Sequence, residues 1–254
     1  MKPLPHSGHD IELLLARWDA LADKAGWKRE QLFAEQEMPI WVFETGDSES
    51  PHQTYISAGV HGDECAPIWA LLGWAEAGGT EVDTNFVLIP CFNPVGIVEN
   101  TRTNGKGVDL NRHFQNREIP LIEAWQDYLG DRRFDVALNL HEDYDAKGIY
   151  LYEVARENPV GEEILAACEG VIPRETAEMV DGSAFQNGLL SHDEDVSEVI
   201  ENDLEGGWPE ALYLYVHHVM NSYTFETPSE FDLERRIAAH RRCLETLFPA
   251  GSRD

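Results

Sequence analysis

A chain of 254 residues suits one large α/β domain ahead of two small ones and is long enough to bury a sizeable core. Its formal charge of −28 repels nucleic acid and anionic lipid, so neither is expected as a partner. No apolar run is long enough to span a bilayer, and the start, Met1-Lys2-Pro3-Leu4-Pro5-His6, lacks the apolar centre of a signal peptide, so a cytoplasmic protein is expected.

The acid is spread widely, with one dense run from His192-Asp193-Glu194-Asp195 to Glu205 that reads as a solvated face or loop; a high-salt habitat would also suit such a surface. Cys65, Cys91, Cys168 and Cys243 form no Cys-x-x-Cys pair, which argues against sulfur-ligated zinc and for reduced thiols in or near the core. Cys65 directly follows Glu64, which keeps a catalytic thiol as an alternative.

In chain order, Ile11, Leu14, Leu15, Trp18 and Leu21 recur at helical spacing and predict an amphipathic first helix. "MPIWVFET", from Met38, reads as a strand and "GDSESP" as the turn after it. "TYISAGV" is nearly continuous in small and apolar residues, as a strand buried on both faces would be. A helix is predicted from Cys65 to Ala77, closed by Gly78-Gly79. "NFVLIPCF" is a further buried strand, stopped by Asn93-Pro94, and a Gly-rich polar stretch runs from Gly96 to Asn111. "FDVALNLH" from Phe134 and "GIYLYEVA" are strands, followed by helical stretches at 161–171 and 210–220. "SYTFETP" is a late strand, and Leu233, Ile237, Leu244 and Leu247 place a closing helix over 231–248. Buried strands alternating with helices predict a parallel or mixed sheet covered on both faces, in one domain spanning 1–254.

Open α/β sheets bind ligands beyond the carboxyl ends of their strands. Three strands here end on residues able to do chemistry: His61, His141 and Glu226, with Glu64 one turn past the first. The His-x-x-Glu spacing alone decides nothing, because His9-Asp10-Ile11-Glu12 repeats it at the start of a helix, after no strand. Two imidazoles and a carboxylate would leave a fourth position on zinc open for water, and a further carboxylate could move protons. The bland alternatives are a satisfied histidine at a strand end for His141 and a turn cap for Glu226.

The longer motif weighs against those alternatives. His61-Gly62-Asp63-Glu64, then Asn93-Pro94-x-Gly96, then Arg102, then Gly107-Val108-Asp109-Leu110-Asn111-Arg112-x-Phe114, then His141, then Thr224-Phe225-Glu226 resembles, in order, the zinc carboxypeptidase superfamily. That group holds metallocarboxypeptidases, murein-peptide amidases, and the acylase branch of aspartoacylase and succinylglutamate desuccinylase. The resemblance implies a mixed central sheet flanked by helices on both faces and one zinc ion per chain, held by His61, Glu64 and His141. It implies that Glu226 is general base and acid and that Arg102 stabilises the oxyanion, with Arg117 as a fallback. It implies that Asn111 and Arg112 hold a substrate carboxylate, as a guanidinium fork suits; a structural salt bridge is the alternative for Arg112. The expected reaction is hydrolysis of an amide next to a free carboxylate, with short peptides favoured over N-acyl amino acids as substrate. A non-catalytic binding protein of the same fold is a further alternative.

The sequence departs from the family in places. The tyrosine that covers substrate in digestive-type carboxypeptidases has no certain counterpart, Tyr213, Tyr215 and Tyr144 being candidates, each of which could equally be core packing. The C-terminal β-domain usual in the acylase branch is not expected, because the chain ends soon after its last helix. Gly-Val-Asp-Leu-Asn-Arg resembles the peptidase and murein-amidase branch more than the acylases. His217-His218 is given no ligand role, because adjacent helical side chains face different ways.

Overall fold

The computed structural model describes residues 8–46, 52–155, 157–180, 183–192 and 207–249. The first six residues, most of the "GDSESP" turn and the acidic run from Asp193 to Glu205 lie outside the described residues. Helices α1 (Ile11–Ala25), α2 (Cys65–Glu76), α3 (Pro94–Glu99), α4 (Pro120–Leu129), α5 (Gly161–Cys168), α6 (Glu210–His217) and α7 (Leu233–Leu247) alternate with strands. The strands are β1 (Lys28–Glu35), β2 (Met38–Glu44), β3 (Gln53–Ala58), β4 (Asn85–Ile89), β5 (Phe134–Asp143), β6 (Tyr150–Ala155), β7 (Met179–Val180), β8 (Ser183–Ala184), β9 (Leu189–His192) and β10 (Val219–Pro228).

Eight strands form one mixed sheet in the order β1-β2-β4-β3-β5-β10-β6-β9, and β7 pairs with β8 separately. The middle of the sheet, β4-β3-β5-β10, is parallel. An antiparallel β1-β2 pair extends one side, and β6, antiparallel to β10, extends the other. The expected single α/β domain with a mixed, two-sided sheet is therefore what the chain builds.

Strand alternation explains the two layers. On β5, Leu138 and Leu140 face a core made with α1, α2, α5 and α7. Ala137, one position over, faces the opposite core with Tyr55, Trp125 of α4 and Leu214 of α6. Helix α2 is apolar on every side and ten of its twelve residues are buried, as a helix packed between the sheet and other helices must be. Burying Ile68, Leu71 and Leu72 fully stabilises the fold by about 1.5–3 kcal/mol each.

Three departures from the predicted elements stand out. The 210–220 helix stops at His217, and Val219 and Met220 open β10 instead. Strand β1 was not predicted because it is an edge strand, largely exposed and rich in charge, so it carries no apolar signal. Helix α4 was also missed, although Leu121, Ile122, Trp125 and Leu129 are all buried at helical spacing behind Pro120 at the first turn.

Candidate metal centre

The site lies where the parallel strands end. After Ala58 the chain turns at Gly59, whose φ of +65° suits glycine, and His61 follows. A Cβ on Gly62 would lie 2.0 Å from the Gly96 carbonyl carbon, so the His-Gly-Asp-Glu turn needs glycine there. Gly96 is fixed in turn by Asn93, whose side chain caps α3 by accepting from Gly96 N at 2.9 Å, with Pro94 in the first turn. The His-Gly-Asp-Glu and Asn-Pro-x-Gly motifs are thus two sides of one backbone contact.

Glu64 occupies the N-cap position of α2 but makes no capping bond with its side chain. That carboxylate turns instead toward two imidazoles: Oε1 lies 2.5 Å from His61 Nδ1 and Oε2 lies 2.9 Å from His141 Nδ1. The three side chains can offer ligand atoms all within 4.8 Å of one another, and they are the one such group among the described residues. His61, Glu64 and His141 are 3%, 1% and 2% exposed. Glu226 is half-buried and sits beside His141 in the parallel β10-β5 register, with Tyr150 of β6 opposite it on the other side. The predicted ligand trio and Glu226 are thereby brought to one end of adjacent strands. His61 belongs to the turn after β3, while His141 and Glu226 lie inside the last turns of extended chain rather than past them.

Electrostatics bind this group together. Burial opposes a charged His61 ring, but the Glu64 and Asp109 carboxylates outweigh it and raise the pKa to about 9. Burial would push the Glu64 carboxyl up, yet the two imidazoles hold it well below the usual carboxylate range. Asp109 is the neighbour of these groups that residue-type reasoning passed over. Its Oδ1 lies 3.2 Å from His61 Nε2, its Oδ2 accepts from Arg102 Nε at 2.9 Å, and Oδ1 also accepts from Asn111 N at 3.0 Å. It orients the His61 ring, aims the Arg102 guanidinium and opens the short 3₁₀ turn at Leu110–Arg112. The signal for it was the Asp-Leu-Asn-Arg motif itself.

Two imidazoles presenting Nδ1, a shared carboxylate, and a second carboxylate on the far nitrogen of one ring form a donor set that suits zinc. Asn111 and Arg112 leave the same turn. Asn111 Oδ1 accepts from Glu210 N at 2.9 Å and so starts α6, while Arg112 Nη1 donates to Asn111 O at 3.0 Å. Arg117, the fallback for Arg102, is exposed and tied to Glu123, Gln126 and Asp127 of α4, away from these groups. Of the three tyrosines, Tyr144 alone reaches the site, its exposed hydroxyl 3.5 Å from Asp63 O. Tyr213 packs at tilted and edge angles among Trp125, Trp208 and His217, and Tyr215 is buried. The Cys65 thiol is buried, and burial pushes its pKa up to about 11. His218 Nδ1 pairs with Arg132 O rather than with any ligand group.

The fold is shared with solved structures. A protein provisionally named a metallopeptidase, from Shewanella denitrificans, superposes with a TM-score of 0.79 at 21% identity, covering 94% of this chain and 89% of that one. A metallo-carboxypeptidase from Burkholderia cenocepacia superposes at 0.63 and 18% identity, covering 93% of this chain and 67% of that one. Carboxypeptidase A from Helicoverpa armigera superposes at 0.66 and 15% identity, covering 95% and 71%. The chain has the zinc-carboxypeptidase fold. Within it, residues 50–169 match the profile of the succinylglutamate desuccinylase/aspartoacylase catalytic domain, a segment that holds His61, Glu64, Arg102, Asp109, Asn111, Arg112 and His141. No curated protein matches the chain in sequence.

Proposed function

We propose that this protein is a zinc-dependent hydrolase that cleaves an amide bond next to a free carboxylate, acting on short peptides at their C-terminus. The observation that carries the reading is the convergence of His61, Glu64 and His141 on one point, with Glu226 in register beside His141. His61, Glu64 and His141 would hold a zinc ion, which would supply a water of lowered pKa, near 7, and polarise a carbonyl oxygen. Glu226 takes the proton from the attacking water and passes it to the leaving amine. Arg102, with Nε spent on Asp109, presents its remaining donors to the developing oxyanion. Arg112 and Asn111 receive the substrate carboxylate, and the Asn111 contact to Glu210 N fixes that turn against α6.

A second reading, hydrolysis of N-acyl amino acids, is supported by the matched desuccinylase and aspartoacylase segment. Both readings use the same catalytic groups, so substrate decides between them. The test is kcat/KM of the zinc-loaded protein on short peptides and on N-succinyl and N-acetyl amino acids. Faster turnover of peptides supports the first reading, and the reverse supports the second. Absence of turnover on both classes would overturn the hydrolase proposal and leave a binding protein of this fold. Small molecules, with neither nucleic acid nor membrane, are the proposed partners. Among the described residues no helix is long and apolar enough to cross a membrane.

A further inference from the structure

Side chains alternate across a sheet, so the residue after each site residue points to the opposite face. After His141 comes Glu142, and after Glu226 comes Thr227. These two are register partners on β5 and β10, and they meet on the α2 and α7 side of the sheet, directly behind the metal centre. Glu142 Oε2 accepts from Ala66 N at 2.9 Å, two residues after Glu64 and in the first turn of α2. Glu142 Oε1 accepts from Arg236 of α7 and from Thr227 Oγ1, the latter at 3.3 Å. His240, one helical turn after Arg236, places Nε2 at 3.0 Å from Thr227 Oγ1. Arg236 Nε also donates to Phe231 O at 2.8 Å, which closes the loop between β10 and α7. Glu142, Thr227 and His240 are all buried.

We infer that Glu142 is a positioning residue of the metal centre: from behind the sheet it locks the helix that carries Glu64 and the strands that carry His141 and Glu226 to one another. The inference rests on the zinc-hydrolase reading above and deepens it. Stability alone does not account for this group. A buried ion pair is often no better than packed apolar side chains of the same volume, so its use here calls for a geometric reason. That reason is the placement of its contacts. Glu142 adjoins one proposed ligand, its Ala66 contact lies two residues from another, and its Thr227 contact adjoins the proposed base. The backbone at all three is pinned through one carboxylate. Ala66 N is also one of the donors that a helix leaves unsatisfied in its first turn, and a carboxylate there is favoured by the helix dipole.

The test compares Glu142→Gln with a matched control. Glu153 of β6 is also buried on this face, and its Oε1 accepts from Val160 N at 2.8 Å and Gly161 N at 2.7 Å at the start of α5, which carries no site residue. Zinc affinity is read by chelator competition, the visible absorption of the cobalt-substituted protein is recorded, and thermal stability is read in parallel. Glu142→Gln is expected to weaken zinc affinity about tenfold or more, the range for lost outer contacts, and to shift the cobalt spectrum. Glu153→Gln is expected to lower thermal stability with wild-type zinc affinity and spectrum. Wild-type affinity and spectrum in folded Glu142→Gln, or equal weakening in both variants, overturns the inference while leaving the metal site intact. If Glu142→Gln does not fold, Thr227→Val decides, because it removes one hydroxyl at nearly constant volume: a shifted cobalt spectrum supports the inference and an unchanged one overturns it. If wild-type protein binds no zinc, the functional reading falls and the inference with it; wild-type binding that His61→Ala abolishes separates the two cases.

Discussion

The chain holds the same four-residue spacing twice, and only one copy brings its His and Glu together with a third donor. In the second copy, His61 and Glu64 close a turn after a buried strand, meet His141, and are almost wholly removed from solvent. In the first, His9 is half-buried with Nδ1 2.7 Å from the Ile97 carbonyl, Asp10 caps α1 by accepting from Leu13 N at 2.9 Å, and Glu12 is exposed in the first turn of that helix. Identical spacing is thus spent on capping in one place and on convergent donors in the other. What separates them is the preceding strand and the third donor that the sheet delivers, not the residues of the motif.

The largest expected difference between the copies is metal content. His61→Ala should abolish zinc binding and hydrolysis together, whereas His9→Ala should change neither, by elemental analysis and turnover. Stoichiometric zinc in the His61 variant would show that the ligand set is wrong. Next is the division of labour between carboxylates. Glu226→Gln should lower kcat by two or more orders of magnitude, about 3 kcal/mol or more of transition-state stabilisation, while zinc stays bound. Glu64→Gln should lose zinc first. A Glu226 variant with near-normal kcat, or without zinc, would remove that residue from the proton-transfer role.

A third effect is smaller. Asp109→Asn keeps the shape but weakens the hold on the His61 ring, and should cost about 10–100-fold in zinc affinity by chelator competition. Unchanged affinity would reduce Asp109 to a turn-former. In the first copy, Asp10→Ala should cost about 1 kcal/mol through the lost cap. That is a fall in Tm of roughly 2–4 °C for a chain of this size, with zinc content untouched. The smallest effect is ionic. With a formal charge of −28, kcat/KM for an anionic substrate should rise modestly with added salt. A steep fall would mean that Arg102 and Arg112 dominate the local field.

Much of this was legible in the sequence because it was local or ordered. The apolar runs at β3, β4 and β5 pointed to a buried parallel or mixed sheet, and the motifs from His61 to Glu226 named the trio that converges at its end and the Glu226 beside it. Strand β1 was hidden because an exposed edge needs charge, not an apolar pattern. Asp109 was visible as a letter but its work depends on a turn that brings it back to His61, 48 residues earlier in the chain. Glu142 was hidden more deeply: it reads as one more acid in an acidic chain, and only strand pairing and the docking of α7 give it partners 76 and 94 residues away.

The burial of α2 also bears on how slowly the site moves. Amide protons in a helix covered on all sides exchange only when much of the molecule opens, so α2 belongs with the most protected part of the chain. Glu64 sits at the N-cap of that buried helix. Small zinc modules fold only around their ion. Here the residues of the proposed cradle are carried by a buried scaffold, so loading the proposed zinc would not require the chain to refold.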